Sequence, residues 1–301
     1  MYYRYFGLEQ PPFRITPDTR LFFPGGNRGA VLEALVYAIA NGEGIVKVVG
    51  EVGSGKTMLC RMLEQELPDT VDVVYLANPS LTPEDIVHAI AFELKLPVEP
   101  SHSRLEVMRK LQEFLLEKHS ANRRVVAFIE EAQGMPLATL EEIRLLSNLE
   151  TKIDKLLQIV LFGQPELDEI LSAHGIRQLR DRITYSFTLE PLATPEIRDY
   201  VLTRLRASGA RATEVFTPGA IRAVAKYSHG LLRRINILAD KALLAAYADN
   251  QTLVTARHVR RAATDSEFAP ARPAWIPWAA GGAAVALVVA AATLFLWPAG
   301  P

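Results

Sequence analysis

One segment of eight residues restricts the fold of this chain more than any other feature. The sequence GEVGSGKT at residues 50–57 matches the pattern G-x-x-x-x-G-K-[ST] and stands between an apolar run (Ile45–Val49) and a helical pattern (Thr57–Leu67). Glycines allow such a loop to curl so that its backbone N–H groups point at phosphate oxygens, and the following helix adds its positive N-terminus. The segment therefore predicts a nucleoside triphosphate site in which Lys56 contacts the β- and γ-phosphates and Thr57 binds Mg²⁺. The predicted nucleotide-binding residues in this segment are Gly50, Glu51, Val52, Gly53, Ser54, Gly55, Lys56, Thr57 and Met58.

Two adjacent carboxylates follow a second apolar run. Residues 125–129 read VVAFI, and Glu130 and Glu131 come next. The carboxyl ends of parallel strands meet at one edge of a sheet, where ligands bind. Because consecutive strand residues point to opposite sides, the two carboxylates are expected to have different roles. We expect Glu130 to help hold Mg²⁺ and Glu131 to orient and deprotonate the attacking water. Taken alone, the pair is equally typical of a solvated strand end.

Apolar runs and helical patterns alternate through residues 1–190. This alternation predicts a three-layer α/β nucleotide-binding core with a parallel sheet. After Pro191 only helical patterns remain, so residues 191–266 are predicted to form a small helical lid domain, followed by a linker over 267–277. The predicted strands are Ile45–Val49, Val71–Leu76, Val125–Ile129, Leu157–Phe162 and Ile183–Leu189. The predicted helices are Asn27–Asn41, Thr57–Leu67, Glu84–Leu94, Arg104–His119, Leu137–Leu149, Pro195–Ser208, Pro218–Tyr227, Leu231–Tyr247 and Thr255–Ala263.

The composition excludes several classes of protein. Hydrophobic residues make up 49% of the 301 residues and charged residues 22%, which is globular rather than disordered composition. A formal net charge of −1 provides no positive field to attract nucleic acid, so no specific nucleic acid partner is expected. A single cysteine, Cys60, excludes an intrachain disulfide, and the six scattered histidines give no zinc-site spacing.

The end of the sequence predicts a membrane span. No charged residue occurs from Pro273 onward, and residues 278–297 are 20 residues long with a tryptophan at each end. As a helix this segment is about 30 Å long, the thickness of the hydrocarbon core of a bilayer. Arginines precede the segment and no charge follows it, so the positive-inside rule predicts a single-pass inner-membrane protein with its catalytic part in the cytoplasm and its C-terminus outside. These arginines are Arg257, Arg260, Arg261 and Arg272.

Several motifs together resemble one family of AAA+ ATPases. They are YFGL at residues 5–8, GEG at 42–44, the P-loop at 50–57, EAQ at 131–133, LLSNLET at 145–151 and LFGQPEL at 161–167. The combination resembles the ExeA/GspA and MshM family, whose members are associated with type II secretion and the MSHA type IV pilus. This resemblance implies an AAA+ fold and an ATPase that uses ATP and Mg²⁺. It also implies a homo-oligomeric active state and partners in a secretion or pilus assembly.

The resemblance also implies roles for residues outside the P-loop. Gln164 falls at the sensor-1 position, and Arg233 falls at the sensor-2 position of the lid. Arg182 matches an arginine that acts in trans as a finger, with Arg177, Arg180 and Arg234 as alternatives. A guanidinium suits that role because phosphoryl transfer builds charge on oxygens. The N-terminal segment, residues 1–26, is implied to close the adenine pocket.

The sequence departs from the family pattern at the residue predicted to bind Mg²⁺. The family usually has Asp where this chain has Glu130. Slow hydrolysis is therefore expected, because a displacement of about 1 Å can reduce a rate on the order of a hundredfold.

Three candidate functions remain open. The favoured function is a membrane-anchored ATPase that drives or regulates assembly of a secretion or pilus machine. The alternatives are a DNA-linked AAA+ ATPase of the transposition type and an ATP-binding scaffold with little turnover.

Overall fold

The computed structural model describes residues 2–173, 176–210 and 214–269. Its strands are β1 (Ile45–Gly50), β2 (Val71–Leu76), β3 (Arg124–Ile129), β4 (Leu157–Gly163) and β5 (Ile183–Leu189). They pair in parallel in the order β2-β3-β4-β1-β5, so β1 lies between β4 and β5. Each strand lies within one residue of its predicted bounds, which confirms the predicted parallel sheet.

The predicted helices are also present, with ends shifted by at most three residues. The largest shift is at residues 147–149, which were predicted to be helical. The helix ends at Leu146 because the chain turns back, and the N–H of Leu156 donates to the carbonyl of Leu149 at 2.9 Å. The helices are α1 (Tyr2–Tyr5), α2 (Arg28–Ala40), α3 (Lys56–Glu66), α4 (Pro83–Glu93), α5 (Arg104–Ser120), α6 (Leu137–Leu146), α7 (Glu166–Ser172), α8 (Arg177–Arg180), α9 (Thr194–Ala207), α10 (Pro218–Ser228), α11 (Leu232–Ala248) and α12 (Ala256–Asp265).

Two hydrophobic layers cover the two faces of the sheet. Alternate residues of β3 show this division, since Val125 and Ala127 pack in one cluster while Val126 and Phe128 pack in the other. Helices α4, α5 and α6 contribute to the first cluster, and α2 and α3 contribute to the second. The near-complete burial of β1, β3 and β4 explains why their sequences are continuous apolar runs rather than alternating ones. This is the α/β core of a P-loop NTPase.

Helices α9 to α12 form a separate helical bundle with a third hydrophobic cluster. The start of the chain packs on this bundle, because Phe6, Leu8 and Phe13 belong to the same cluster. Buried Arg204 of α9 reinforces the contact, since its Nε donates to the carbonyl of Pro12 at 2.7 Å. The sequence predicts that residues 1–26 belong to the α/β core, whereas the first part of this segment is attached to the bundle.

The predicted membrane span lies in a part of the chain that the structure does not describe. Among the residues described, no helix is both long enough and apolar enough to cross a membrane. The predicted span over residues 278–297 lies outside the described residues, as does the linker from residue 270 onward.

Candidate functional site

The phosphate-binding loop lies where β1 ends and α3 begins. Gly53 and Gly55 have φ values of +81° and +106°, a region that other residues adopt rarely. A Cβ atom at Gly53 would lie 2.6 Å from the Cβ of Arg233, so the loop and the start of α11 approach each other as closely as glycine permits. The loop therefore has the strand–loop–helix placement that the sequence predicts, and the bundle contacts it directly.

Lys56 is buried inside the loop. Its Nζ donates to the carbonyl oxygens of Gly50 at 2.6 Å and Glu51 at 3.2 Å. Burial lowers the pKa of the Lys56 ammonium, and the carboxylates of Glu131 and Glu130 partly oppose that shift. The Lys56 ammonium thus donates to backbone carbonyl groups. Phosphate oxygens are charged and accept hydrogen bonds from an ammonium more strongly than carbonyl oxygens do.

Thr57 and Glu130 meet at the end of the sheet. The Thr57 hydroxyl donates to Glu130 Oε2 at 3.1 Å, which joins the first turn of α3 to the end of β3. Glu130 is 8% exposed, and its Oε1 is buried without a hydrogen-bond partner among the described residues. Hydroxyl and carboxylate oxygens are the ligands that Mg²⁺ takes in nucleotide sites, and a buried orphaned carboxylate oxygen fits a cation. The two residues therefore suit the metal role predicted for them.

Glu131 points elsewhere because its backbone is left-handed, with φ at 52°. Its Oε2 accepts from the Nε2 of Gln133 at 2.6 Å and from the Nε2 of Gln164 at 2.9 Å. Strand alternation, which the sequence suggests as the reason for different roles of the two carboxylates, is the wrong reason. The strand β3 ends at Ile129, and the left-handed turn at Glu131 separates the carboxylates.

The environment of Glu131 keeps it ionised. Burial by itself would raise the pKa of this carboxyl, but the two glutamine amides donate to the charged form, and Lys56 adds positive charge. Together they hold the pKa of Glu131 below its usual range. A carboxylate beside the phosphate-binding loop that stays ionised can accept a proton from water.

Gln164 lies at the end of β4 and contacts the same carboxylate. Besides the bond from its side chain, its backbone N–H donates to Gln133 Oε1 at 3.0 Å. The structure therefore brings together the residue predicted at the sensor-1 position and the predicted base. Gln133, which the sequence analysis quoted only as part of a motif, is the residue that joins them.

A cavity of about 370 Å³ opens beside the loop. The α/β core, the N-terminal segment and the bundle all line it, and Phe23 packs edge-to-face on Tyr200 at a ring separation of 5.4 Å. Arg233, predicted at the sensor-2 position, also lines this cavity. The lining residues are Arg14, Ile15, Thr16, Pro17, Leu21, Phe22, Phe23, Arg28, Val52, Gly53, Gly55, Lys56, Thr57, Met58, Glu131, Tyr200, Arg204, Leu232, Arg233 and Asn236.

Arg182 lies at the opposite edge of the sheet. It precedes β5, whose first residue pairs with Ile45 at the start of β1, whereas the loop follows the other end of β1. Five steps along a strand separate these edges by roughly 16 Å. Arg182 Nη1 donates to the Ser147 hydroxyl at 3.3 Å and does not line the cavity of its own chain. Of the alternatives, Arg177 and Arg180 lie exposed on α8, and Arg234 lies over the ring of Phe268.

One contributor to the site was not found from the sequence. Arg28, the first residue of α2, lines the cavity and donates to the carbonyl of Ser54. No motif marks this arginine, and nothing in an apolar helical pattern distinguishes its first residue. The contact depends on how α2 packs beside the loop, which only the fold determines.

Comparisons with known proteins agree with this geometry. Residues 39–171 match the protein family described as AAA domain. The chain is 40% identical over 248 residues to General secretion pathway protein A of Aeromonas hydrophila. The chain contains an AAA domain and is related to this protein. The alignment covers 82% of the chain but 45% of the relative, so the chain spans about half the length of the relative that it matches. The predicted resemblance to the GspA-type family is confirmed.

Several solved structures share the fold of this chain. Cdc6p from Pyrobaculum aerophilum superposes with a TM-score of 0.65 at 20% identity, covering 82% of this chain and 71% of that chain. The ORC2 protein of Aeropyrum pernix, solved in ADPNP–ADP complexes, gives 0.62 at 18% identity, covering 85% and 71%. At these identities the likeness concerns the fold alone. The chain therefore matches a protein family over residues 39–171 and known architectures over most of its length.

Proposed function

We propose that this chain binds Mg-ATP in the cavity beside residues 50–57 and hydrolyses it. The observation that carries the proposal is the convergence of Lys56, the Thr57–Glu130 pair and Glu131 at the carboxyl ends of β1 and β3. The cavity next to them combines apolar and aromatic side chains from the N-terminal segment with the cationic loop, which suits a base at one end and phosphates at the other.

In this mechanism each residue has a defined task. Thr57 and Glu130 would hold Mg²⁺, and a bound Mg²⁺ would neutralise charge on the phosphate oxygens. The Lys56 ammonium binds the phosphates, and the loop N–H groups point at them. Glu131 orients a water molecule and takes its proton as the water oxygen bonds to the γ-phosphorus, while the bond from that phosphorus to the β–γ bridging oxygen breaks and ADP leaves. Gln164 holds the carboxylate of Glu131 in place through its amide.

Two arginines complete the proposed site. Arg233 approaches from the bundle, and its backbone N–H donates to the carbonyl of Gly53 at 3.1 Å. Movement of the bundle would therefore be coupled to the loop. Arg182 lies too far from the cavity of its own chain, so we propose that it stabilises the transferring phosphate in a neighbouring subunit of a homo-oligomer.

Binding is tested first by titration of the full chain with Mg-ATP. We expect the chain to bind and Lys56→Ala to show no measurable affinity, because the variant loses both the phosphate contact and the bonds to Gly50 and Glu51. Lys95→Ala, an exposed lysine between α4 and α5, is the control and should bind normally. Unchanged affinity in Lys56→Ala would place the nucleotide elsewhere.

We further propose that ATP turnover drives or regulates assembly of a secretion or type IV pilus machine of the MSHA kind. The support is the 40% identity to a general secretion pathway protein. The test is a deletion strain complemented with the wild-type chain or with Glu131→Gln, scored for secreted protein and for surface pili. We expect the wild-type chain alone to restore one of these. Restoration of neither, or equal restoration by both chains, would contradict the proposal.

Finally, we propose that residues 278–297 anchor the chain in the inner membrane with the ATPase part in the cytoplasm. The support is the sequence of that segment and the arginines before it. A reporter fused after Pro301 should be exposed outside the cytoplasm. A cytoplasmic reporter would mean that the segment does not span the membrane in this direction.

A further inference from the structure

Arg28 is a buried cation without an acidic partner. It is 2% exposed, and it forms no ion pair within 4 Å among the residues that the structure describes. Burial lowers the pKa of its guanidinium, with the more distant charge of Glu196 partly opposing that effect. A buried charge is costly to a protein unless hydrogen bonds compensate it. The partners that Arg28 does have are therefore informative.

Those partners are two backbone carbonyl groups far apart in sequence. Arg28 Nε and Nη2 donate to the Ser54 oxygen at 3.2 and 2.9 Å, and Nη2 also donates to the Glu190 oxygen at 3.0 Å. Nη1 is buried and has no hydrogen-bond partner among the described residues. The planar fork of a guanidinium can reach both carbonyls at once, which the single ammonium of a lysine does not reproduce.

We propose that Arg28 is a positioning residue that orients the phosphate-binding loop by holding the carbonyl group of Ser54. In a trans peptide the C=O and N–H groups point in opposite directions. The bond from Arg28 fixes the Ser54 oxygen, and through the planar peptide it also fixes the direction of the Gly55 N–H. That N–H is one of the donors with which a loop of this kind binds phosphate.

Other carbonyl groups of the loop are held in a similar way, which supports this role. Lys56 takes the oxygens of Gly50 and Glu51, and the N–H of Arg233 takes the oxygen of Gly53. The carbonyl partners of Lys56 occupy the ammonium that a phosphate would otherwise bind, whereas the bond from Arg28 to Ser54 leaves Lys56 free for phosphate. Arg28 is thus, besides Lys56, a side chain that holds a carbonyl group of the loop.

The second bond of Arg28 connects the loop to the start of the bundle. Glu190 follows the last residue of β5, and Leu192 bonds to Gly230 in the turn before α11. Asn27 strengthens the same connection, because its Oδ1 accepts from the N–H of Glu190 at 3.3 Å. Residues 27 and 28 therefore join the loop to the point where the chain leaves the sheet.

The test compares Arg28→Lys with the wild-type full chain, and it rests on the proposed nucleotide site. Affinity for Mg-ADP is measured by calorimetric titration, and kcat and KM are measured for Mg-ATP. We expect Arg28→Lys to bind Mg-ADP about tenfold more weakly, as for the loss of one charge-assisted hydrogen bond. KM should rise by a similar factor while kcat changes by less than about twofold. The reason is that the contact between the Gly55 N–H and phosphate is made equally in the ground and transition states.

A matched control separates positioning from general destabilisation. Arg104→Ala removes the partner of buried Glu142 between α5 and α6, on the other side of the sheet from α2. It should lower the thermal unfolding midpoint without changing Mg-ADP affinity. If Arg28→Lys does not fold, Arg28→Gln, which buries no charge, is titrated in its place.

The outcomes distinguish the two proposals. If the wild-type chain binds no Mg-ADP, the proposed function itself is wrong. If the wild-type chain binds and the folded Arg28 variant binds equally well, Arg28 does not position the loop. Equal weakening in Arg104→Ala would likewise overturn the assignment, since the effect would then follow from stability alone.

Discussion

The hydroxyl group of Thr57 donates a hydrogen bond to Glu130 Oε2 at 3.1 Å. This contact connects the phosphate-binding loop directly to the end of β3. Glu130 is 8% exposed, so this hydrogen bond is shielded from water and holds the carboxylate against the first turn of α3. The glutamate side chain is therefore long enough to reach the threonine directly.

This contact predicts the effect of shortening the carboxylate. Glu130→Asp withdraws the oxygen from Thr57 by about one bond length, and a displacement on the order of 1 Å can reduce a rate a hundredfold. The sequence alone predicts slow hydrolysis with Glu at this position, but because the Glu130 carboxylate contacts Thr57, we expect Glu130→Asp to lower turnover of Mg-ATP by at least about tenfold, an estimate on the same basis. Glu64→Asp, on the exposed face of α3, should leave turnover unchanged. A clear increase in Glu130→Asp would instead favour an ATP-binding scaffold whose turnover this glutamate suppresses.

The pH dependence of turnover follows from the environment of Glu131. Burial favours the protonated acid, while the amides of Gln133 and Gln164 favour the carboxylate, and the amides together with Lys56 prevail. Because its pKa is lowered, Glu131 remains a base as the pH falls through the ordinary carboxylate range. Activity is lost only when the pH falls through the lowered value. Gln133→Ala removes one donor, raises this pKa and should move the acid limb of the profile to higher pH.

The measurement is kcat as a function of pH for wild type and Gln133→Ala. Gln112→Ala, exposed on α5, serves as the control and should retain the wild-type profile. An acid limb at the same pH in Gln133→Ala would show that its amide does not stabilise the catalytic carboxylate.

The position of Arg182 predicts cooperation between subunits. It lies at the edge of the sheet away from the loop, so the cavity of its own chain does not include it. Specific turnover of the full chain in detergent should rise with protein concentration, and Arg182→Ala should remain slow throughout. We expect a loss on the order of a thousandfold at high concentration, typical of an arginine finger. Normal turnover in Arg182→Ala together with loss in Arg177→Ala would transfer the role to α8.

Local patterns in the sequence were sufficient to predict the core. The strands were found because β1, β3 and β4 are buried on both faces and consist of continuous apolar runs. The loop was found because its glycines and lysine are fixed by the chemistry of phosphate binding. Both signals lie within a dozen residues, so no knowledge of tertiary contacts was required.

Contacts between distant residues were not predictable in this way. Arg28 bonds to Glu190, which is 162 residues away, and Gln133 bonds to Gln164, which is 31 residues away. The attachment of Phe6, Leu8 and Phe13 to the helical bundle was missed because three apolar residues without a periodic pattern give no indication of their partner. Short helices such as α8, with four residues, are likewise too brief to show a helical period.

The central claim is that Glu131 is the base of an Mg-ATPase, and one experiment tests it directly. Mg-ATP binding and hydrolysis are measured side by side for the full chain and for Glu131→Gln. The substitution keeps the shape of the side chain but removes its ability to accept a proton. We expect Glu131→Gln to bind Mg-ATP with similar affinity and to hydrolyse it at least a hundredfold more slowly, the usual contribution of a general base. Hydrolysis by Glu131→Gln at the wild-type rate would contradict the account.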